Sequence, residues 1–313
     1  MLPIGTRARR LGGGIHYPMS IDLSFLRAHP QQLATLLRHQ RIRQTPVGGG
    51  FTCLTQRLTL DDGSSVFTKQ APPDAPPGLL AAEEHGLGWL RAAGAPVPEV
   101  IAHLPDLLVL EWIPPGEPGP AAAERLGRDL AALHADRVDA FGAAWPGRIG
   151  TLDLDNTPSQ EPWPQWFARC RIEPYLRRSA AVLDPADITS IHQIMDQIDR
   201  YAGAGGSEPP ARLHGDLWPG NLVWSTDHAW LVDPAAHAGH RESDLAQLDL
   251  FGGAPFGDRI RAAYQEIHPL AEGWQQRVPL HQLHLLLVHT AIFGASFASA
   301  VRTAVRTIVR TAG

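Results

Sequence analysis

The segment His214-Gly-Asp-Leu-Trp-Pro-Gly-Asn221, followed by Asp233-Pro-Ala235, constrains this chain more than any other stretch. It puts Asp216 and Asn221 on one tight loop, with Asp233 just beyond a short hydrophobic run. Leu222 to Trp224 and Ala229 to Val232 read as two strands joined by a polar turn at Ser225 to His228. Such a hairpin returns Asp233 to the side of Asn221. The bland alternative is a Gly/Pro-rich turn carrying incidental polar residues. Against it stands a chemical reason for the spacing. A hydroxyl attacking the γ-phosphate of ATP needs a carboxylate for its proton, and divalent cations held against the phosphates need oxygen ligands. The pattern predicts Asp216 as the base, Asn221 as one Mg²⁺ ligand and Asp233 as the bridging one.

Asp, four residues, Asn and a later metal-binding Asp is the catalytic-loop spacing of protein-kinase-like phosphotransferases. That reading asks for a lysine on an earlier strand, and Lys69 is the one lysine in the chain. Elsewhere Arg serves, so position 69 requires what Arg lacks, a compact point charge on a flexible stem. Ser65 to Lys69 reads as a strand after the turn Asp61-Asp-Gly63, and its lysine is predicted to touch the α- and β-phosphates while pairing with a helix acid. The alternative is a surface lysine. Upstream, Gly48, Gly49 and Gly50 allow close backbone approach to phosphates, or simply form a flexible turn. Glu83 and Glu84, on different faces of the helix Leu79 to Ala93, both qualify as the partner acid, or as solvated acids of a first turn.

Composition narrows the class. Hydrophobic residues at 44% and charged ones at 19% describe an ordinary globular chain, and a formal charge of −5 argues against a dedicated nucleic-acid binder. Cys53 and Cys170 are too few for a disulfide framework, so a reducing cytoplasm is the expectation. No apolar run reads as membrane-spanning, and the start lacks the apolar core of a signal peptide. The scattered histidines show no metal-ligand spacing, and His134 and His289, each in an apolar run, read as core residues.

Residues from Ile21 to about Gln40 read as one helix, followed by a hairpin, the helix Leu79 to Ala93 and strands near Val97 to Ala102 and Leu107 to Ile113. The run Pro114 to Pro120 breaks regular structure. The chain is therefore expected to form an α+β, two-lobed fold of the protein-kinase type: a small β-rich N-lobe (1–113) and a larger, mainly helical C-lobe (114–313). The hinge at Glu111, Trp112 and Ile113 is expected to meet adenine through its backbone. Helices are expected at Ala121 to Ala135, Trp163 to Arg178, Ile188 to Tyr201, Asp244 to Phe251, Phe256 to Ile267 and Leu280 to about Arg310.

These residues together resemble the fructosamine kinase (ketosamine 3-kinase) family. The specific matches are Trp218 within the His214 to Asn221 motif and Asp233-Pro-Ala followed by Gly239-His-Arg-Glu242, then Asp244-Leu-Ala246. Leu250 to Gly253, Gly273-Trp274 with Arg277, and His289 through Gly294 continue the likeness, and in the N-lobe Gly48 to Gly50, Lys69 and Glu83 to Leu87 match in order. The acid three before Gly86 is the family's usual position, which selects Glu83. The resemblance implies ATP-dependent phosphorylation of the sugar 3-hydroxyl of a ketosamine, free or on a glycated protein, with a role in deglycation. It places Trp218, His240, Arg241 and Glu242 on the substrate side, an ion pair bracing the loop being the alternative for Arg241 and Glu242. Asp244 is expected to cap or anchor its helix. Two departures stand out: His237 and Ala238 replace aromatic residues, and Phe51 replaces a cysteine, with Cys53 two positions later. The rival functions are an aminoglycoside- or choline-type kinase and a nucleotide-binding pseudokinase. The retained Lys69, Asp216, Asn221 and Asp233 count against the latter.

Overall fold

Alternation along the strands organises the N-lobe. The computed structural model describes residues 21–38, 42–48 and 52–311. Strands β1 (Arg43–Pro46), β2 (Leu54–Thr59), β3 (Ser65–Gln70), β4 (Val100–Leu104) and β5 (Leu107–Glu111) form one antiparallel sheet in the order β1-β2-β3-β5-β4. Successive strand residues face opposite sides. Val66 and Val109 therefore enter a core with Leu26 and Leu36 of helices α1 (Leu23–Ala28) and α2 (Leu33–Arg38). Phe67, Leu108 and Leu110 face the other way, toward α3 (Leu79–Ala92). Leu80, Leu87 and Leu90 of α3 are buried there, each contributing roughly 2 kcal/mol relative to exposure. Lys69 shares the face of Phe67, in register with Thr55 and Leu108, so the lysine emerges under α3.

Prolines explain two departures from the expected helices. The segment anticipated as one helix from Ile21 is divided by a 3₁₀ turn at Pro30–Gln32, because Pro30 has no N–H to continue the ladder. Strand β1 was not anticipated. In the C-lobe, α4 (Pro120–Ala135) leads to the hairpin β6 (Gly147–Ile149) and β7 (Leu152–Leu154). The anticipated Trp163 helix is α5 (Trp163–Phe167) and α6 (Glu173–Ser179) joined by a π turn, Ala168–Ile172. Pro174 cannot donate to the Cys170 carbonyl, which instead accepts from Arg171 Nη1 at 3.2 Å.

Helices α7 (Pro185–Asp196) and α8 (Ile198–Ala202) replace one expected helix. Strand β8 (Ala211–Leu213) precedes the catalytic hairpin, β9 (Leu222–Trp224) and β10 (Ala229–Leu231), whose register Leu222↔Leu231 matches the sequence reading. Strand β11 (His237–Gly239) pairs with β8, and α9 (Glu242–Gln247), α10 (Gly257–Ile267), α11 (Trp274–Phe293) and α12 (Ala298–Thr311) complete the lobe. Against the sequence expectation, Trp274–Thr311 is long and apolar enough to cross a membrane by length and composition; Leu283, Leu285, Leu287 and Val288 within it are buried in the C-lobe core. A third core joins the lobes, with Leu87 and Leu108 on one side and Leu130, Leu222 and Tyr264 on the other.

Candidate active site between the lobes

The loop after β8 is held by its own backbone. Gly215 has φ +81, and a Cβ there would lie 2.3 Å from the Ala235 carbonyl oxygen, so the turn demands glycine. The N–H groups of His214 and Gly215 donate to Asp244 Oδ2 and Oδ1 at 2.7 and 2.9 Å, and the Leu217 N–H donates to Gln247 Oε1 at 2.6 Å. His134 Nε2 meets the same Asp244 Oδ2 at 3.3 Å. Asp244 therefore anchors the catalytic loop across from α9 rather than capping its own helix. Its carboxylate is fully buried and supplies the acceptors that a loop lacking ladder bonds needs.

Asp216 projects from this loop with its two oxygens in different states. Oδ2 accepts from Asn221 Nδ2 at 3.0 Å, while Oδ1 is buried with no protein partner. Burial pushes the carboxyl pKa up to about 8; the Asn221 hydrogen bond opposes that rise and the Asp244 charge adds to it. The unpartnered Oδ1 leaves a hydrogen-bonding position for an incoming hydroxyl.

Across the cleft Lys69 Nζ donates to Glu83 Oε1 and Oε2 at 2.9 and 2.7 Å, and it also contacts Asp233 Oδ1. Asp233 holds φ +57, unusual for a residue with a Cβ, and the Val232 N–H to Asn221 carbonyl bond at 3.0 Å ties it beside Asn221. Asn221 spends its amide nitrogen on Asp216, at 2.8 Å to the main-chain oxygen, so the atom it can offer a ligand is its carbonyl oxygen. Asn221 and Asp233 thus form an all-oxygen donor pair that fits a hard divalent cation. A cavity of about 510 Å³ connects these groups, with Thr52, Cys53, Lys69, Asp216, Trp218 and Phe293 in its lining.

The sequence matches the fructosamine kinase family over residues 27–311. The chain belongs to the fructosamine kinase family. A ketoamine kinase relative named as probable in Thermus thermophilus is 34% identical over 232 residues, covering 74% of this chain and 83% of the relative. A similarly named protein of Enterococcus faecium is 33% identical, covering 80% and 90%. Among solved structures, one from Thermobifida fusca assigned as a fructosamine-3-kinase is 45% identical, with a TM-score of 0.82 over 89% of this chain and 98% of that one. An aminoglycoside phosphotransferase solved with ADP shares the fold at 14% identity and a TM-score of 0.60. This fructosamine kinase family member is an ATP-dependent phosphotransferase of the two-lobed, α+β kinase-like fold.

Within this family member, Lys69, Glu83, Asp216, Trp218, Asn221 and Asp233 all line the one cleft. Glu83, not Glu84, meets the lysine; Glu84 pairs with His85. Gly48 is exposed and lines no part of that cleft, and Gly49 and Gly50 lie outside the described residues. Glu111 ends β5 and Trp112 and Ile113 follow it, all outside the lining too; Glu111 Oε2 accepts from the Glu99 N–H, and Trp112 packs under the Arg57 guanidinium.

His240, Arg241 and Glu242, expected on the substrate side, are turned into the protein. Arg241 pairs bidentately with Glu208 at 2.6 and 2.9 Å, Glu242 pairs with Arg277 at 2.6 and 2.8 Å, and His240 Nε2 meets the Gly205 carbonyl at 2.9 Å. A buried charge without a partner is costly, so Arg241 and Glu242 each find an opposite charge inside, while His240 is met by a carbonyl. The donor atoms of His240, Glu242 and His281 lie within 4.8 Å of one another, but the Arg277 guanidinium already occupies the carboxylate. His237, which replaces an aromatic residue, is buried against Arg171 away from the cleft lining. Conversely His289, read as a core residue, lines the cleft together with Arg148, Phe251 and Phe297. The family likeness at Leu250 to Gly253 and at His289 to Gly294 hinted at part of this wall; Arg148 and Phe297 carried no sequence signal.

Proposed function

We propose that this kinase phosphorylates the sugar 3-hydroxyl of ketosamines in a deglycation role, with Asp216 as the base. The single observation behind the chemistry is the unpartnered, buried Asp216 Oδ1 in a cleft that also holds Lys69, Asn221 and Asp233. The names of the relatives support the choice of acceptor. Bound near Asp216, the hydroxyl oxygen attacks the γ-phosphorus, the bond from that phosphorus to the bridging oxygen of ADP breaks, and the hydroxyl proton passes to Asp216. Lys69, braced by Glu83, would meet the α- and β-phosphates, with Gly48, Gly49 and Gly50 above them and the backbone at Glu111, Trp112 and Ile113 toward adenine. Asn221 and Asp233 would hold Mg²⁺, which when bound neutralises charge on the phosphates. The lobe boundary falls at Ile113–Pro114 in this reading. Two free thiols suit a reducing cytoplasm, and burial raises the pKa of Cys53, so that thiol is not set up for reaction.

The test is ATP consumption with ribulose-, erythrulose- and fructose-derived lysine, choline and an aminoglycoside, for the wild type and Asp216→Asn. The expected result is turnover on a ketosamine, reduced roughly 10²–10⁴-fold in the variant with ATP binding retained. Turnover confined to choline or the aminoglycoside sinks the acceptor assignment. ATP binding with no turnover on any acceptor would favour a pseudokinase.

A further inference from the structure

Phosphoryl transfer does not account for the rest of the cleft. Trp218, Phe251, His289, Phe293 and Phe297 make a connected aromatic wall, with ring centroids 4.6 Å apart for Phe251–His289, 5.1 Å for His289–Phe297 and 5.6 Å for Trp218–Phe251. Phe251 holds φ +53, a strained conformation for a bulky residue, yet it remains 41% exposed. Burial does not offset that strain, which points to a ring kept for the cleft. His289 Nδ1 meets the Leu285 carbonyl oxygen at 2.8 Å, and burial lowers the pKa of the imidazole, leaving the wall without charge.

A cation borders this wall. Arg148, on β6, lines the same cleft, and the hairpin tip beside it abuts α11: a Cβ on Gly150 would come 2.8 Å from Ile292 Cδ1. Arg148 donates to the Pro77 carbonyl oxygen at 2.8 Å and pairs with Asp153. The Asp153 side chain is 72% exposed against 18% for Arg148, so that partner is weakly held and replaceable. Among the described lining residues the carboxylates are Glu83, Asp216 and Asp233, engaged with Lys69 or Asn221. Beside the aromatic wall the cleft thus offers one positive charge and no spare negative one.

From this complementarity we infer that the preferred acceptor is the ketosamine of a free apolar amino acid, its side chain on the aromatic wall and its carboxylate on Arg148. The inference rests on the ketosamine reading and narrows it. A free lysine adduct would bring a second ammonium with no unengaged acid among the described lining residues to meet it, and a protein-bound lysine adduct would bring no carboxylate. A cavity of about 510 Å³ is of the size that encloses a small molecule.

The experiment uses one ketose on four amines: methylamine, phenylalanine, phenylalaninamide and the ε-amine of an Nα-acetyl-lysine amide. The phenylalanine adduct should exceed its amide in kcat/KM by about tenfold, through KM, the worth of one charge-assisted contact. Arg148→Gln should bring that acid-to-amide ratio toward one, and Arg148→Lys should keep most of it. Phe297→Ala should narrow the gap between the phenylalanine and methylamine adducts. Equal turnover of acid and amide in the wild type, a ratio untouched by Arg148→Gln, or preference for the lysine derivative would each overturn the inference. Failure on every adduct, methylamine included, would remove the ketosamine reading itself and this inference with it.

Discussion

Lys69 is gripped by Glu83 and also touches Asp233, with its side chain only 6% exposed. A guanidinium is wider and planar, so it cannot occupy this space as a point charge. Lys69→Arg should cost on the order of 10- to 100-fold in kcat/KM for ATP, a displacement effect that steady-state kinetics at saturating acceptor will read. Asp244 acts on the other side of the cleft through backbone donors, not through substrate. Asp244→Ala leaves the His214 and Gly215 N–H groups buried without their acceptor, at about 1–3 kcal/mol each way of counting one lost bond. Denaturant unfolding should show that loss together with a fall in kcat. An unchanged midpoint would mean the loop is held by something else. The lysine was legible because a chain so rich in Arg used Lys once. Asp244 was visible as a residue but not as a loop anchor, since its partners lie about thirty positions away.

Elements add constraints that no single residue displays. Helices α4 and α10 meet at Gly127, where a Cβ would stand 2.2 Å from the Ile260 carbonyl oxygen and 3.0 Å from Ala263 Cβ. Neither neighbour is a flexible side-chain end, so Gly127→Ala must separate the helices. Overpacking of this kind costs typically ~1–3 kcal/mol, and a calorimetric scan should show a lowered Tm. An unaltered Tm would mean that the helices part freely. In the sequence Gly127 is a mild blemish in a helical pattern. The catalytic hairpin was read correctly because its strand alternation and turn are local. The breaks at Pro30 and at the π turn before Pro174 were missed because periodicity continues across them.

At the scale of the molecule, the C-lobe core contains several buried imidazoles. Burial lowers the pKa of His240 from 6.5 to about 4, with His281 adding to the fall, and that of His284 to about 3, with Arg171 adding. A group whose folded pKa is depressed resists protonation in the native state while the unfolded chain takes up protons. For these histidines, full stability therefore holds above pH 6.5 and is lost as pH falls from there toward about 4 for His240 and about 3 for His284. Glu242 has its pKa held down to about 2, against burial, by Arg277 and His281, and it withdraws its contribution lower still, between 4.5 and about 2. Below pH 6.5 the Tm should decline, the two histidines outweighing Asp216, whose raised carboxyl pKa works the other way up to about pH 8; a Tm that rises as pH falls below 6.5 would contradict this core.

Sequence alone determined the chemistry. The Asp216, Asn221 and Asp233 spacing, the solitary Lys69 and the alternation of β3 are local patterns, and local patterns dictate which atoms a short loop or strand can present. Tertiary structure decided which charged residues face the cleft. His240, Arg241 and Glu242 look like a polar functional run, but their partners Glu208 and Arg277 come from distant segments and draw them inward. Arg148 and Phe297 look like nothing in particular, and join Phe251 as a wall with a bordering cation only when β6, the turn after α9 and the end of α11 converge. The cost of burying a charge or exposing a ring is settled by long-range packing, which no short window of sequence contains.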